Sequence, residues 1–547
     1  MLVCQAPTDV FLFFSYILFD PVVTRGNASS SCFLASILSL ASLAVASTCS
    51  QTLTVANADI SPDGFSRKAS VVNGGTVGPV IWAKKGEQLK LNVVNNLTDP
   101  GQIRVTTMHW HGILQRGTNF MDGTAGVTQC PIAPGDSFLY NFKADVAGTY
   151  WYHSHIGLQY CDGVRGALIV QDPADHLAIL YDESTIITIS EWYHKSVLYA
   201  QGPVSPDATL INGRGRFPGG PNADLSVVNV QQGKRYRLRI ISMSCEPNYI
   251  FSIDGHNLTI IETDATPTSP HTVNAIQIFA GQRYSLVLNA NQRVDNYWIR
   301  ALSNMRNLST TFENGIDSAI LRYRGAPIAE PKSIQPTTAK MLEEKDLHPL
   351  AYPFPPGLPG PNGADMTFNL TFSADLATGF FVNNNSYVSP TVPVLLQILS
   401  GAHSAHDLLP HGSVFTIERN KVVQVNMQTL NIAGPHPMHL HGHTFSVVKS
   451  AGALPNYLNP IGRDVVSLGM IEGDYVSIRF RTDNPGPWIL HCHINPHLDL
   501  GFAVVFAEAL EQTPFVDKPP KNWDQLCPTW DSLPDSVKTT HPNSTSA

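Results

Sequence analysis

Four non-overlapping His-x-His pairs stand in this 547-residue chain, His109/His111, His153/His155, His439/His441 and His491/His493, and the last pair brackets Cys492. In a β-strand, side chains i and i+2 point to one face and i+1 to the other. Each pair can therefore aim two imidazoles at one place, while the thiolate of Cys492 faces away from its two neighbours. Imidazole suits copper, and two histidines with one cysteine and a weak axial neighbour make a blue-copper electron-transfer centre. The layout is that of one sulfur-held copper wired through two short peptide links to a metal cluster on the other side. His436, three residues before His439, and His497, five after Cys492, are the natural completing ligands. His443 shares the strand face of His439 and His441 and stands behind them.

The pairs are also an internal repeat. Met108-His109-Trp110-His111-Gly112 matches Met438-His439-Leu440-His441-Gly442, and residues 148–156 match 486–494, with the first histidine five residues after the glycine in both. Ser154 in the early copy stands where the late copy has Cys492. A metal site formed between the copies draws four histidines from each. Two surface histidines side by side are common, but four pairs in duplicated context are not a chance pattern.

The elements that must position these residues read as strands. The chain is too long for one core, so two to four domains are expected. A hydrophobic content of 43% with 14% charged residues describes a well-buried globular protein, and forty prolines and forty glycines punctuate Val/Ile/Thr-rich runs such as 88–94, 236–241, 275–279 and 475–480. The fold class is all-β. The net charge of −8 and the lack of a basic run argue against a nucleic-acid partner. The first module, 47–175, holds two His pairs; a middle module, 176–328, holds none; a linker spans 329–348; a third module, 349–530, holds the last two pairs; and 531–547 form a polar tail without order.

Residues 1–46 read as a secretion signal with a doubtful N-terminal extension. The apolar stretch 33–46 ends in Ala44-Val45-Ala46, a small-residue cleavage site. Residues 1 to about 30 fit a mistaken start, with an additional anchor as the competing reading. Nothing after Ala46 is apolar for long enough to span a bilayer, so the mature chain, from near Ser47, is expected to be secreted, extracellular and free of the membrane. Sequons at Asn96, Asn257, Asn307, Asn369, Asn384 and Asn543 fit a glycoprotein. With Cys4 and Cys32 in the discarded region and Cys492 a ligand, Cys130, Cys161, Cys245 and Cys527 are available for two disulfides, and Cys49 is left over.

The segments resemble the four copper signatures of multicopper oxidases, most closely those of fungal laccases of the basidiomycete type. They read His109-Trp-His-Gly with Asp122-Gly and Gln129-Cys-Pro-Ile; His153-Ser-His with Gln159-Tyr-Cys-Asp-Gly; His436-Pro-Met-His-Leu-His-Gly-His443; and His491-Cys-His-Ile-Asn-Pro-His497. The likeness runs from about residue 50 to 530. It implies three cupredoxin-like Greek-key β-barrel domains and four copper ions. His436, Cys492 and His497 would bind the type 1 copper, His109 and His439 the type 2 copper, and His111, His153, His155, His441, His491 and His493 the type 3 pair. Disulfides Cys130–Cys527 and Cys161–Cys245 follow from the same resemblance, as does a monomer.

The implied reaction is one-electron oxidation of phenols or aromatic amines at His497, with transfer through Cys492 to a cluster that reduces dioxygen to water; lignin or other phenolic material is the implied context. Phe502, ten residues after Cys492, holds the axial position and cannot ligate, which raises the potential. Asp122 matches a proton-relay position near the cluster; a turn aspartate before glycine is the bland alternative. Glu246 matches a substrate-pocket carboxylate that accepts the phenolic proton at mildly acid pH, with Asn304 and Met305 lining the same pocket. Three positions depart from the family pattern. Asn495 replaces an acid, Pro496 replaces an aromatic and bears on the loop holding His497, and Met438 replaces a phenylalanine. A ferroxidase is the alternative activity.

Overall fold

Alternation builds the outer sheets. In Ser137–Lys143, Phe138, Tyr140 and Phe142 are buried while their neighbours face water, the pattern of a sheet solvated on one side. The ligand-bearing strands break this rule: His109–His111, Gly148–His153, Pro437–Leu440 and Gly486–Cys492 are buried at every residue. Both of their faces are covered, so they lie inside the molecule. The computed structural model describes residues 48–199, 205–305, 311–335, 339–352, 354–375, 378–432 and 434–540.

The main sheets come in three pairs with one recurrent topology. In each pair, one sheet contains a parallel crossover: Thr48–Ile60 beside Gln88–Asn96, Glu183–Trp192 beside Arg235–Ser242, and Met366–Leu370 beside Val422–Gln428. The facing sheet contains another: Gly78–Lys84 beside Arg165–Gln171, Val227–Val230 beside Ser318–Tyr323, and Val414–Ile417 beside Ala503–Glu508. These are three cupredoxin-like barrels, called the first, middle and third domains below. The first and third share register at the ligands. His109 lies opposite His153 and Trp110 opposite Tyr152; His439 lies opposite His491 and Leu440 opposite Leu490.

Two expectations change. The tail is ordered through residue 540: helices Leu526–Ser532 and Asp535–Lys538 pack Trp530, Leu533 and Val537 against the first domain. Those residues come from two short helices and the extended Leu533 between them, apolar anchors inside a segment whose composition is polar. Cys130–Cys527 and the Trp523 Nε1 bond to Thr128 O (3.1 Å) fasten it further. Cys49 is not left over either; it is buried and bonded in a disulfide. The second expected disulfide, Cys161–Cys245, joins the first domain to the middle one.

In the expected linker, Leu347 is buried, Leu342 packs on the core and Glu344 accepts from Arg463 of the third domain. Asn96, Asn257, Asn369 and Asn384 are exposed, whereas Asn307, Asn543 and the secretion signal lie outside the described residues. Among the described residues no helix is long and apolar enough to cross a membrane.

Candidate metal centre

Local geometry first brings the rings together. Opposed ligand strands place His109 against His153 and His439 against His491, and the two domains then press these faces together. His109 stacks on His441 with centroids 3.9 Å apart, and His111 stacks on His439 at 3.9 Å. Ligand atoms lie within 4.8 Å of one another in the sets His109/His111/His153, His109/His439/His441 and His155/His441/His491, and separately in His436/Cys492/His497. His493 joins the first group through its Nε2, 3.2 Å from His111 Nδ1. His443 does not join; its Nε2 lies 3.0 Å from Glu508 Oε2.

The donor chemistry fits a soft cation. A carbonyl only accepts, so an imidazole nitrogen bonded to one carries the proton and leaves the other nitrogen with a lone pair. His109 Nδ1 donates to Asp122 O (2.8 Å), His439 Nδ1 to Asp464 O (2.8 Å), His153 Nδ1 to Ser154 O (2.9 Å) and His491 Nδ1 to Cys492 O (2.9 Å). The Nε2 atoms of His109, His153, His155 and His439 are buried with no hydrogen-bond partner. His441 donates from Nδ1 to Asp122 Oδ2 (2.9 Å), and its Nε2 meets His491 Nε2 at 3.1 Å. Two lone pairs that close repel unless a cation lies between them.

Burial, and after it the neighbouring rings, holds His153, His155, His439, His441 and His493 well below the usual histidine range. They are neutral at physiological pH and free to act as ligands. Buried lone pairs without a hydrogen-bond donor are what a metal site requires of its imidazoles.

Two carboxylates complete the shell in a crossed pattern. Asp122, from the first domain, accepts from His441 of the third; its Oδ2 also accepts from Thr124 Oγ1 (2.8 Å), and its Oδ1 is buried 3.3 Å from His109 Nδ1. Gly123 follows with φ +83°, where a Cβ would stand 1.8 Å from Met108 O, so only glycine fits. Asp464, from the third domain, accepts from His111 Nε2 (3.3 Å) of the first. Arg283 of the middle domain grips Asp464 with two bonds of 2.6 and 2.7 Å and donates from Nε to Thr149 O of the first domain (3.0 Å). Gly281 beside it leaves room for the rings: a Cβ there would lie 2.9 Å from His493 and 3.0 Å from His111.

The sulfur site lies behind the cluster. Cys492 Sγ is 3.6 Å from His436 Nδ1 and 3.7 Å from His497 Nδ1, and the two nitrogens are 3.1 Å apart. His436 Nε2 donates to Ile432 O, which leaves its Nδ1 as the acceptor. Burial pushes the Cys492 thiol up, so a thiolate there needs a cation beside it. Burial lowers His436 to about 4 and His497 to about 3. Phe502 is fully buried, stacked on Phe380 at 5.1 Å, and Phe380 lies 4.4 Å from the His497 ring.

The departures at 495 and 496 do not open this loop. Pro496 sits in the first turn of the short helix Asn495–Asp499, where a missing N–H costs nothing. Asn495 donates from its backbone to Cys245 O (2.7 Å) and from Nδ2 to Gly157 O (2.7 Å). Met438 is buried in the core.

The Cys245–Asn495 bond brings the Glu246 loop against the helix of His497. Asn248 and Asn304 exchange two bonds, 2.9 and 3.1 Å, which ties the Asn304-Met305 turn to the same loop. Burial, then the charge of Glu191, lifts Glu246 to about 7. A separate cavity of about 460 Å³ reaches His155, lined among others by Thr124, Asn495, Trp530 and Lys538.

Asp464, Arg283, Gly281 and Phe380 were not legible in the signatures. Asp122 follows His109 by 13 residues, but Asp464 follows His439 by 25, so the repeat does not announce it.

Sequence models described as multicopper oxidase match residues 54–175, 183–326 and 387–512. Laccase-1 of Trametes villosa is 54% identical over 490 residues, 88% of this chain and 94% of that protein. A laccase of Pycnoporus cinnabarinus is 53% identical over 520 residues, 93% and 99% of the two chains. Among solved structures, the laccase of Botrytis aclada matches at TM-score 0.78 and 32% identity, covering 90% of this chain and 93% of that one. Fet3p, a multicopper oxidase that functions in iron import, matches at 0.77 and 26%, covering 89% and 96%.

Arg283 neutralises buried carboxylates of two domains, Asp464 and Asp264. Arg283→Met is expected to destabilise the chain by about 3–5 kcal/mol, as for a buried pair losing one member. Arg235→Met, which breaks an exposed pair with Asp182, serves as control and should leave the melt unchanged. Thermal unfolding of both variants checks this, and equal melts would refute the role given to Arg283.

Proposed function

The chain belongs to the multicopper oxidases, and we infer that its activity is that of a laccase of the basidiomycete kind. It oxidises phenols and aromatic amines one electron at a time and couples four such steps to the reduction of dioxygen to water. The observation that carries this reading is the peptide His491-Cys492-His493, which joins a cysteine site on one side to an eight-histidine cluster on the other. Identities of 53–54% to laccases along 88–93% of the chain support it. The iron-import oxidase is a more distant match, at 26%, so the ferroxidase alternative is set aside.

On this reading four copper ions are held, and when bound they supply the one-electron steps at both centres. His436, Cys492 and His497 hold the type 1 ion and His109 and His439 the type 2 ion. Two sets of three hold the type 3 pair: His155, His441 and His491, and His111, His153 and His493. Phe502, whose ring has no donor atom to offer that ion, would favour its reduced state and raise the potential. His497, with 6% of its surface exposed, is the edge a reducing substrate meets. Glu246 accepts the phenolic proton, and Asn304 and Met305 border that pocket. At the cluster, Asp122, which lies against both His441 and His109, is the position for a proton relay. The 460 Å³ cavity at His155 is the path for dioxygen and water.

The implied setting is a monomeric, secreted glycoprotein, free of the membrane and of nucleic acid, acting on lignin-derived or other phenolic material. On the same reading the domains are 47–175, 176–328 and 349–530.

Oxygen uptake by the copper-loaded chain should be well above background with a methoxyphenol, exceed that with Fe²⁺, and release no peroxide. A preference for iron would move the activity to ferroxidase.

The two ends of the electron path are separable by rapid mixing. Phe502→Met should lower the type 1 potential, whereas Asp122→Asn should slow reoxidation by dioxygen more than type 1 reduction. An unchanged potential in the first, or equal slowing of both steps in the second, contradicts the roles given.

Because Glu246 is lifted to about 7, its base form is scarce below that pH and gains as pH rises through it. The ratio of wild-type to Glu246→Gln activity on a phenol should therefore grow from pH 5 to pH 8, by roughly a hundredfold at most, while a non-phenolic dye shows no such trend. A flat ratio removes Glu246 from the proton step.

A further inference from the structure

The repeat that gives the cluster its two halves extends to positions the cluster does not use. Thr106 precedes His109 by the same three residues as His436 precedes His439. Ser154 stands between His153 and His155 as Cys492 stands between His491 and His493, and Gln159 follows Ser154 by five residues as His497 follows Cys492. All three ligand positions of the cysteine site thus have counterparts in the first domain.

The backbone carries the same correspondence. Ile132 N donates to Thr106 O at 2.8 Å, and Leu468 N to His436 O at 2.9 Å. Ser154 N donates to Val164 O at 3.0 Å, and Cys492 N to Phe502 O at 3.1 Å. Gln159 N donates to Ile156 O at 3.3 Å, and His497 N to Ile494 O at 2.9 Å. Even the axial position is matched, by Val164 for Phe502.

The side chains meet as the ligands do, but through hydrogen bonds. Thr106 Oγ1 and Ser154 Oγ each donate to Gln159 Oε1 at 2.7 Å. Gln159 Nε2 donates to Ile103 O (3.1 Å) and Val105 O (2.9 Å). The three residues are at most 1% exposed. Every hydrogen-bonding site of the amide is used, as a buried polar group requires.

We propose that Thr106, Ser154 and Gln159 are the collapsed counterpart of the mononuclear copper site, in which a hydrogen-bonded amide does the tying that the metal does in the third domain. Gln159 fixes the segment before His109 against the turn that follows His153 and His155, and so positions three ligands of the cluster. An amide and two hydroxyls cannot pass electrons, so the cluster has one entry, at Cys492. The proposal rests on the ligand set given above. Failure of that set would show as no cysteine–copper absorption in the parent chain, whereas failure of this proposal shows only in the variants.

Two kinds of variant test it, read by copper content, cysteine–copper absorption and the type 2 paramagnetic signal. Gln159→Leu should lose cluster copper several-fold while keeping the Cys492 absorption, and Gln159→Glu, which keeps acceptor oxygens for Thr106 and Ser154, should recover part of it. A glutamine that only stabilised the fold would lower both centres alike. The triple variant Thr106→His/Ser154→Cys/Gln159→His should bind one more copper per chain and regain the cluster. In a Cys492→Ser background it should still show cysteine–copper absorption, which then comes from the rebuilt site. Full cluster copper in Gln159→Leu overturns the tying role, and a folded triple variant without added absorption overturns the correspondence. If the triple variant does not fold, the two Gln159 variants decide by themselves.

Discussion

Imidazoles whose lone pairs converge repel one another, and this chain packs eight of them into one dry space. The arrangement survives only if each ring is held by its other nitrogen and if a cation takes up the lone pairs. The chain meets the first condition with backbone carbonyls close at hand. His153 and His491 use the carbonyl of the very next residue, and His109 and His439 use those of Asp122 and Asp464. Because carbonyls cannot donate, the tautomer is set by the fold before any metal arrives. Strand burial on both faces follows from the same need, since water at the rings would supply the competing donors that the site must lack.

Neither half of the site is self-sufficient, and the middle domain, which contributes no ligand, closes it. Arg283 reaches Thr149 O in the first domain and Asp464 in the third, while its own backbone N–H donates to Asp264. Arg463 of the third domain returns the contact through Asp264 at 2.8 Å. Buried charges of this kind contribute little net stability but are costly to break singly. They fix relative orientation, which is what a site assembled from two barrels demands. The Cys161–Cys245 disulfide adds a covalent tie between the first and middle domains beside Asn495, next to the loop that bears His497.

The ligands were legible because a strand has period two and because the chain states its pattern twice. The all-β class was legible from alternating runs such as Ser137–Lys143. What escaped depends on contacts made only in three dimensions. Asp464 is hidden by the 12 extra residues that separate it from its histidine relative to Asp122, the difference between 25 and 13. Gly281 and Arg283 lie in a module whose sequence carries no metal motif. The tail was misjudged because composition outweighed the apolar anchors Trp530, Leu533 and Val537. Glu246 was placed correctly beside Cys245 in sequence, but its proton affinity depends on Glu191 and on burial, neither of which the local motif contains.

The crossed carboxylates are alike in topology and unlike in charge. Each reaches from one barrel to the second histidine of the other barrel's first pair. Asp464 meets His111 at Nε2, which turns Nδ1 toward His493; Asp122 meets His441 at Nδ1, which turns Nε2 toward His491. Asp464 is already matched by the guanidinium of Arg283, whereas the side-chain partners of Asp122 are the Thr124 hydroxyl and histidine rings. The guanidinium holds Asp464 in one orientation, while burial, which outweighs that attraction, pushes its carboxyl up to about 6. The two arms are alike in reach, and the middle domain makes them different, because Arg283 pairs with Asp464 while the Thr124 hydroxyl faces Asp122.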